Sequence, residues 1–439
     1  MDTSKIQRMR FCSFCGGSER EVGALLAGTG AYICDGCVAY STVALRRAGK
    51  AAEVLASPTP SELVATLDRH VIGQHAAKRS LAVAVYNHYK RLNSLEATRL
   101  DPETQRVRLR KSNILLVGPT GSGKTLLAEV LARTLNVPLT VADVTGVTQA
   151  GYAGDDISSV LQRLAGAADG DVAQAQRGIV FLDEVDKLAR RDGGGGRTLD
   201  VSGEGVQQSL LKMLEGSKVV LEGTSGRAGT KEQFVMDTSQ ILFIAGGAFP
   251  DLTDSALSRR AKSAGFRFDR GHESAEDAEV PVPTSEDLVE FGLIPEFVGR
   301  FPVVVGLQEL TVGQLERVLT EPEDSLVAQY RELFALDGHT LEFEAGALQA
   351  IAQRSHQQHS GARGLRSILE AVLRDHMYAS PDLAPGSRVV ITRAQVAELT
   401  AEAGTAPGTS AARRQPASAR PLDPPARPST RSSQAIEAL

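Results

Sequence analysis

Tryptophan is absent from this chain, aromatic residues make up only 5% of its 439 positions, and no cysteine follows Cys37. Its cores must therefore rely on Leu, Val, Ile and Ala. No apolar run reaches the ~18 residues of a membrane-spanning helix. The start, Met1-Asp2-Thr3-Ser4-Lys5, lacks the apolar centre of a secretory leader. A cytoplasmic location with no membrane partner is the default expectation. Excess positive charge is missing too: the formal net charge is −5, so nothing in the balance calls for nucleic acid. The 42% apolar and 23% charged content fits an ordinary soluble globular protein, and the length accommodates two or three domains.

What is present is most informative at Gly118-Pro119-Thr120-Gly121-Ser122-Gly123-Lys124-Thr125. The stretch follows the apolar run Ile114-Leu115-Leu116-Val117 and opens into Leu126-Leu127-Ala128-Glu129, so it lies between a strand and a helix. Glycines there let successive backbone N–H groups face a polyphosphate, and the helix N-terminus adds partial positive charge. Lys124 suits the β/γ-phosphates and the Thr125 hydroxyl suits Mg²⁺. The other half of such a site is Gly178-Ile179-Val180-Phe181-Leu182-Asp183-Glu184, an apolar strand ending in two carboxylates. Asp183 suits the Mg²⁺ hydration shell, and Glu184 suits orientation of an attacking water. The pair predicts hydrolysis of ATP as well as its binding.

The four cysteines form two Cys-x-x-Cys pairs, Cys12/Cys15 and Cys34/Cys37. Their spacing fits a four-thiolate Zn²⁺ site of structural type, because four protein ligands leave no open position for catalysis. Disulfides and redox dithiols are the competing readings.

Along the chain we expect a zinc-binding module over residues 1–48, a linker over 49–61, a large unit over 62–301, a smaller one over 302–401 and a disordered tail over 402–439. Strands are expected over 113–117, 138–142, 178–183 and 240–245, with helices over 124–135, 155–166 and 202–215. This alternation predicts an α/β fold with a mostly parallel sheet covered by helices. The segment 302–400 reads as helix-rich with one strand-like run at Arg388-Val389-Val390-Ile391-Thr392.

Taken in order, these segments resemble the ClpX family. The resemblance adds Tyr32-Ile33-Cys34-Asp35, Val71-Ile72-Gly73-Gln74, Gly151-Tyr152-Ala153-Gly154, Gly203-Glu204-Gly205-Val206, Pro295-Glu296-Phe297-Val298-Gly299-Arg300 and Gly361-Ala362-Arg363-Gly364, and covers residues 10–400. It implies an AAA+ P-loop sheet with a small helical C-terminal subdomain. It also implies a homohexameric ATP-dependent unfoldase and chaperone that threads polypeptides through a pore as specificity subunit for a Clp-type protease. A zinc module that dimerises and receives substrates or adaptors belongs to the same implication. By the resemblance, Arg300 meets the γ-phosphate of a neighbouring subunit and Arg363 contacts nucleotide from the small subdomain. Val71 and Ile72 would pack on adenine, although simple core packing explains two β-branched residues equally. Tyr152 would grip substrate by its bulk, a core tyrosine being the other reading.

Two departures bear on partners. Where the family docks the ClpP peptidase with an Ile-Gly-Phe tripeptide, this chain has Ala264-Gly265-Phe266. The missing methyl groups remove about 2 kcal/mol of transfer energy per subunit, so weak ClpP binding is expected. Gly226-Arg227-Ala228 stands where the family has a basic triplet, which reduces the attraction for acidic tags. A protease-independent remodeller and a zinc-ribbon AAA+ transcription regulator are the alternative readings.

Overall fold

The computed structural model describes residues 10–41, 58–100, 107, 109–146, 157–189, 203–225, 230–250, 252 and 282–404. The N-terminal module pairs two short antiparallel strands, β1 (Leu25–Ala27) and β2 (Tyr32–Cys34). Two helices follow, α1 (Pro60–His70) and α2 (His75–Leu100). Thr59 starts α1 with a reciprocal capping box to Glu62, and Pro60 occupies the first helical turn, where its missing N–H has no cost.

The large unit then alternates strand and helix: β3 (Ile114–Val117), α3 (Lys124–Leu135), β4 (Leu139–Asp143), α4 (Ile157–Ala167), α5 (Val172–Ala175), β5 (Ile179–Asp183) and α6 (Gly203–Glu215). A hairpin of β6 (Lys218–Ser225) and β7 (Thr230–Asp237), not anticipated from sequence, leads to β8 (Leu242–Gly247), α7 (Ser285–Glu290), α8 (Pro295–Val298) and β9 (Val303–Gly306). Five strands form one parallel sheet in the order β4-β5-β8-β3-β9. Successive strand residues face opposite sides. Ile114, Leu116, Ile179, Phe181, Leu242 and Ile244 pack on α1, α2 and α3. Leu115, Val117, Val180, Leu182, Phe243 and Ala245 pack on α4, α6 and the α7–α8 segment. Both faces are buried, which is why these strands read as unbroken apolar runs.

The C-terminal unit comprises α9 (Val312–Thr320), α10 (Leu326–Leu336), β10 (Thr340–Phe343), α11 (Ala347–Gln357), α12 (Gly361–Ala379), β11 (Arg388–Ile391) and α13 (Arg393–Gly404), with its own core around Leu315, Phe334, Ile351, Leu365 and Leu369. Here the structure corrects the expectation of a single strand between 302 and 400. The valines of β9 complete the main sheet beside β3, and β10 pairs in parallel with β11. Both pairings are short and their partners distant in sequence, so local periodicity carries little trace of them.

Candidate functional site

The phosphate-type loop lies at the carboxyl edge of the sheet, where open α/β folds place ligands. Gly118 joins β3 to the loop so tightly that a Cβ would come 2.7 Å from the Leu307 carbonyl oxygen. Gly121 and Gly123 adopt φ of +78° and +97°, conformations that admit little but glycine. Gly123 then caps α3, so the loop ends at that helix's positive end. Lys124 donates to the carbonyls of Gly118 at 2.7 Å and Pro119 at 2.9 Å. Burial lowers its pKa to about 8, and the carboxylates of Asp183 and Asp186 oppose that fall. Ser122 keeps a buried hydroxyl without a hydrogen-bond partner. A glycine loop with no room for a Cβ at Gly118 or Gly121, with a buried cation beside it, fits a polyphosphate.

At the neighbouring strand end, Thr125 Oγ1 donates to Asp183 Oδ2 at 3.3 Å. This is the hydroxyl and carboxylate donor set that Mg²⁺ takes alongside phosphate oxygens and water. Glu184 follows with φ of +60°, a left-handed conformation rare for a non-glycine residue, and its N–H donates to Asp183 Oδ1 at 2.9 Å. Asp186, which sequence reading passed over, is buried and accepts from the Ala248 N–H just past β8 at 3.2 Å. Gln207 of α6, also passed over, donates to the Leu188 carbonyl at 2.8 Å and accepts from the Ile294 N–H at 2.8 Å. It ties the segment behind the two acids to α8.

The C-terminal unit closes the site from the other side. Arg363, in the first turn of α12, brings a guanidinium nitrogen to 4.0 Å from Asp183 Oδ2. The Ala362 N–H donates to the Gly121 carbonyl at 3.1 Å, so the loop and α12 touch directly. Val71 and Ile72 are both buried. Val71 belongs to the core under α1, and its Cγ1 would sit 3.8 Å from a Cβ on Gly123. Its core position and its place beside the loop are the same place.

Arg300 is elsewhere. Its carbonyl accepts from Asn113 Nδ2 at 2.9 Å, and Asn113 immediately precedes β3. The guanidinium pairs with Glu215 at the end of α6. Arg300 thus lies at the amino edge of the sheet, the length of β3 away from Lys124, or about 13–16 Å at ~3.3 Å per residue. Tyr152, the 226–228 segment and Ala264-Gly265-Phe266 lie outside the described residues.

The second constellation is the cysteine cluster. The sulfurs of Cys12, Cys15, Cys34 and Cys37 all lie within 4.8 Å of one another, and Cys15 and Cys34 are 3.7 Å apart. A tetrahedron with Zn–S of about 2.3 Å has edges of about 3.8 Å, whereas a disulfide requires about 2.05 Å. The geometry fits zinc. Backbone N–H groups, that of Cys15 foremost, lower the Cys12 pKa to about 6, while desolvation and the neighbouring sulfurs push Cys37 up to about 12. Four sulfurs crowded this way resist common ionisation unless a cation compensates them.

Comparisons with known proteins match the regions that contain both constellations. Residues 10–45 match the ClpX C4-type zinc finger family, residues 109–304 the AAA domain (Cdc48 subfamily), and residues 310–389 the C-terminal, D2-small domain, of ClpB protein. The chain is similar to the ATP-dependent Clp protease ATP-binding subunit ClpX of Azotobacter vinelandii, with 48% identity over 378 residues, covering 84% of this chain and 86% of that protein. With a zinc finger, an AAA module and a small C-terminal domain in that order, and near half-identity along most of its length, the chain belongs to the ClpX family of AAA+ ATPases.

Proposed function

We propose that this protein is an ATP-driven unfoldase built as a ring of six identical subunits. ATP with Mg²⁺ binds at 118–125, with Thr125 and Asp183 holding the metal and Glu184 positioning the attacking water. When bound, Mg²⁺ would supply neutralisation of the charge on the nucleotide's phosphates. Arg363 senses the nucleotide from the small subdomain, and Val71 and Ile72 border the base.

The observation that carries the ring is the separation of Arg300 from its own Lys124 by the length of the sheet. An arginine at one end and a phosphate cradle at the other complete each other only head to tail between copies. A head-to-tail contact that closes makes a ring. We therefore expect Arg300→Ala to lower ATP turnover by about 10³-fold, the low end for a trans-acting arginine, while nucleotide still binds. Adding Arg300→Ala subunits to Lys124→Ala subunits should restore part of the turnover, because mixed interfaces pair an intact cradle with an intact arginine. Steady-state ATPase assays on the mixture check this, and failure of mixing to restore turnover counts against the trans arrangement.

The threading function rests on Tyr152 between Gly151 and Gly154. Tyr152→Ala is expected to keep ATP hydrolysis and lose unfolding, read as fluorescence loss of a tagged fluorescent protein with ATP. Parallel loss of both activities would instead mark Tyr152 as a core residue. The zinc module exposes Phe11, Phe14, Leu26 and Tyr40, at 50, 70, 57 and 78% of their full areas. So much open apolar surface on so small a unit supports dimerisation and capture of substrates or adaptors. Ala264 supports weak docking of ClpP. None of the described helices is long and apolar enough to cross a membrane.

A further inference from the structure

One polar side chain joins the phosphate loop to the connection between the two subdomains. Gln74 lies in the turn between α1 and α2, buried, with φ of +59°. Its Nε2 donates to the Gln308 carbonyl at 2.8 Å, and its Oε1 accepts from the Gln308 N–H at 3.0 Å. The amide thus pairs with a backbone residue in both directions, as an adjacent strand would. The same Nε2 lies 3.5 Å from the Ser122 carbonyl of the phosphate loop.

Gln308 belongs to the connector between β9, the last strand of the sheet, and α9, the first helix of the C-terminal unit. That connector also meets the strand that feeds the loop: the Leu307 N–H donates to the carbonyl of Val117, the last residue of β3, at 2.7 Å, and Gly118 lies against Leu307. Gly73, at φ of +66°, approaches α9 so closely that a Cβ would sit 2.7 Å from Gln314 Nε2. Gly73-Gln74 is therefore wedged between the phosphate loop, the connector and the first helix of the small subdomain.

We propose that Gln74 is a positioning residue that converts nucleotide occupancy of the 118–125 loop into rotation of the small subdomain. The inference rests on the reading of that loop as the ATP site. Gln is the residue type that fits, because one planar group must offer a donor and an acceptor side by side. Glu lacks the donor, and Leu lacks both. Asn carries the right group on a stem one methylene shorter, and it tolerates the left-handed backbone better than Gln. A residue kept in a strained conformation that Asn would relieve points to a need for reach.

The test uses the full chain with fluorophores at the exposed positions Glu129 on α3 and Leu336 on α10, introduced without using cysteine chemistry. Energy transfer is compared between ADP and a slowly hydrolysed ATP analogue, alongside KM and kcat for ATP. In the unmodified chain the distance changes with nucleotide. Gln74→Leu and Gln74→Asn are each expected to lose that change. KM should rise about 10-fold, within the usual range for coupled sites, with kcat nearly unaltered because Gln74 touches no phosphate-binding side chain. Hydrogen exchange at the Gln308 amide should quicken in both variants.

A Gln74→Asn variant that behaves as the unmodified chain overturns the inference, since it would show that backbone conformation alone matters. So does an equal fall in KM-independent turnover, distance change and melting temperature, the mark of a merely structural residue. If instead the unmodified chain shows no distance change and Lys124→Ala hydrolyses ATP normally, the reading of the loop has failed, and the inference falls with it.

Discussion

Glu184→Gln should lower ATP turnover by about 10²–10⁴-fold, the usual contribution of a positioned base, while the nucleotide stays bound. Lys124→Ala, in contrast, should lose binding itself. The two effects separate because the two residues occupy different layers of one site. Lys124 lies inside the loop, bonded to the Gly118 and Pro119 carbonyls, with its charge disfavoured by burial. A phosphate arriving there relieves that penalty, so the lysine's contribution appears as affinity. Glu184 contributes nothing to the loop. It extends from a left-handed turn past β5, one residue beyond the carboxylate that bonds Thr125.

Glutamine is the informative replacement because the backbone strain at Glu184 is the same for either residue. A residue at positive φ costs about 1–3 kcal/mol, and a glycine there would change stability and chemistry together. With Gln, only the carboxylate is removed. Retention of ATP is measured by isolating the protein with labelled nucleotide, and turnover by phosphate release. Turnover at the unmodified rate would move the water-positioning role to another acid, with Asp186 the nearest candidate by its contact with the residue past β8.

The parts of this site that were legible in sequence are contiguous ones. Ile114–Val117 and Ile179–Leu182 are fully apolar because both sheet faces are covered, and each runs directly into its functional residues. Strand, glycine loop and helix are adjacent in the chain, so their joint meaning needs no knowledge of the fold. The less legible parts depend on pairings across long sequence separations. Gln74 and Gln308 are 234 positions apart, and nothing local distinguishes that glutamine from any other in a turn. Val303-Val304-Val305 is too short a run to declare itself the fifth strand beside β3. Arg300 was readable as a candidate, but its place at the far end of β3 follows only from the bond between Asn113 and its carbonyl. The near approach of Arg363 to Asp183 likewise requires α12 to fold back onto the loop.

Removal of zinc is the second large effect expected. Among the described residues the N-terminal module has almost no core of its own: Cys12, Val22 and Cys34 are buried, with Leu25, Ile33 and Cys37 partly covered around them. Its two strands are three residues each, short of the three or more strands an independent sheet needs. Three of these six side chains are cysteines of the metal cluster. Zinc binding of about 10–16 kcal/mol then provides the folding free energy of the module. A strong chelator should unfold residues 10–41 while the AAA unit, which has two extensive cores of its own, remains folded and continues to hydrolyse ATP. Cys34→Ala should have the same local effect, because Cys34 is buried and its sulfur accepts from the Cys37 N–H at 3.3 Å while its own N–H donates to Cys12 Sγ at 3.3 Å. Acidification should release the metal as protons compete for the sulfurs. Elemental analysis of the full chain should find one zinc per subunit, and hydrogen exchange should show protection lost within the first 41 residues alone. A module that keeps its protection in chelator, or a preparation with no zinc and two disulfides, would replace the metal with one of the two other cysteine chemistries.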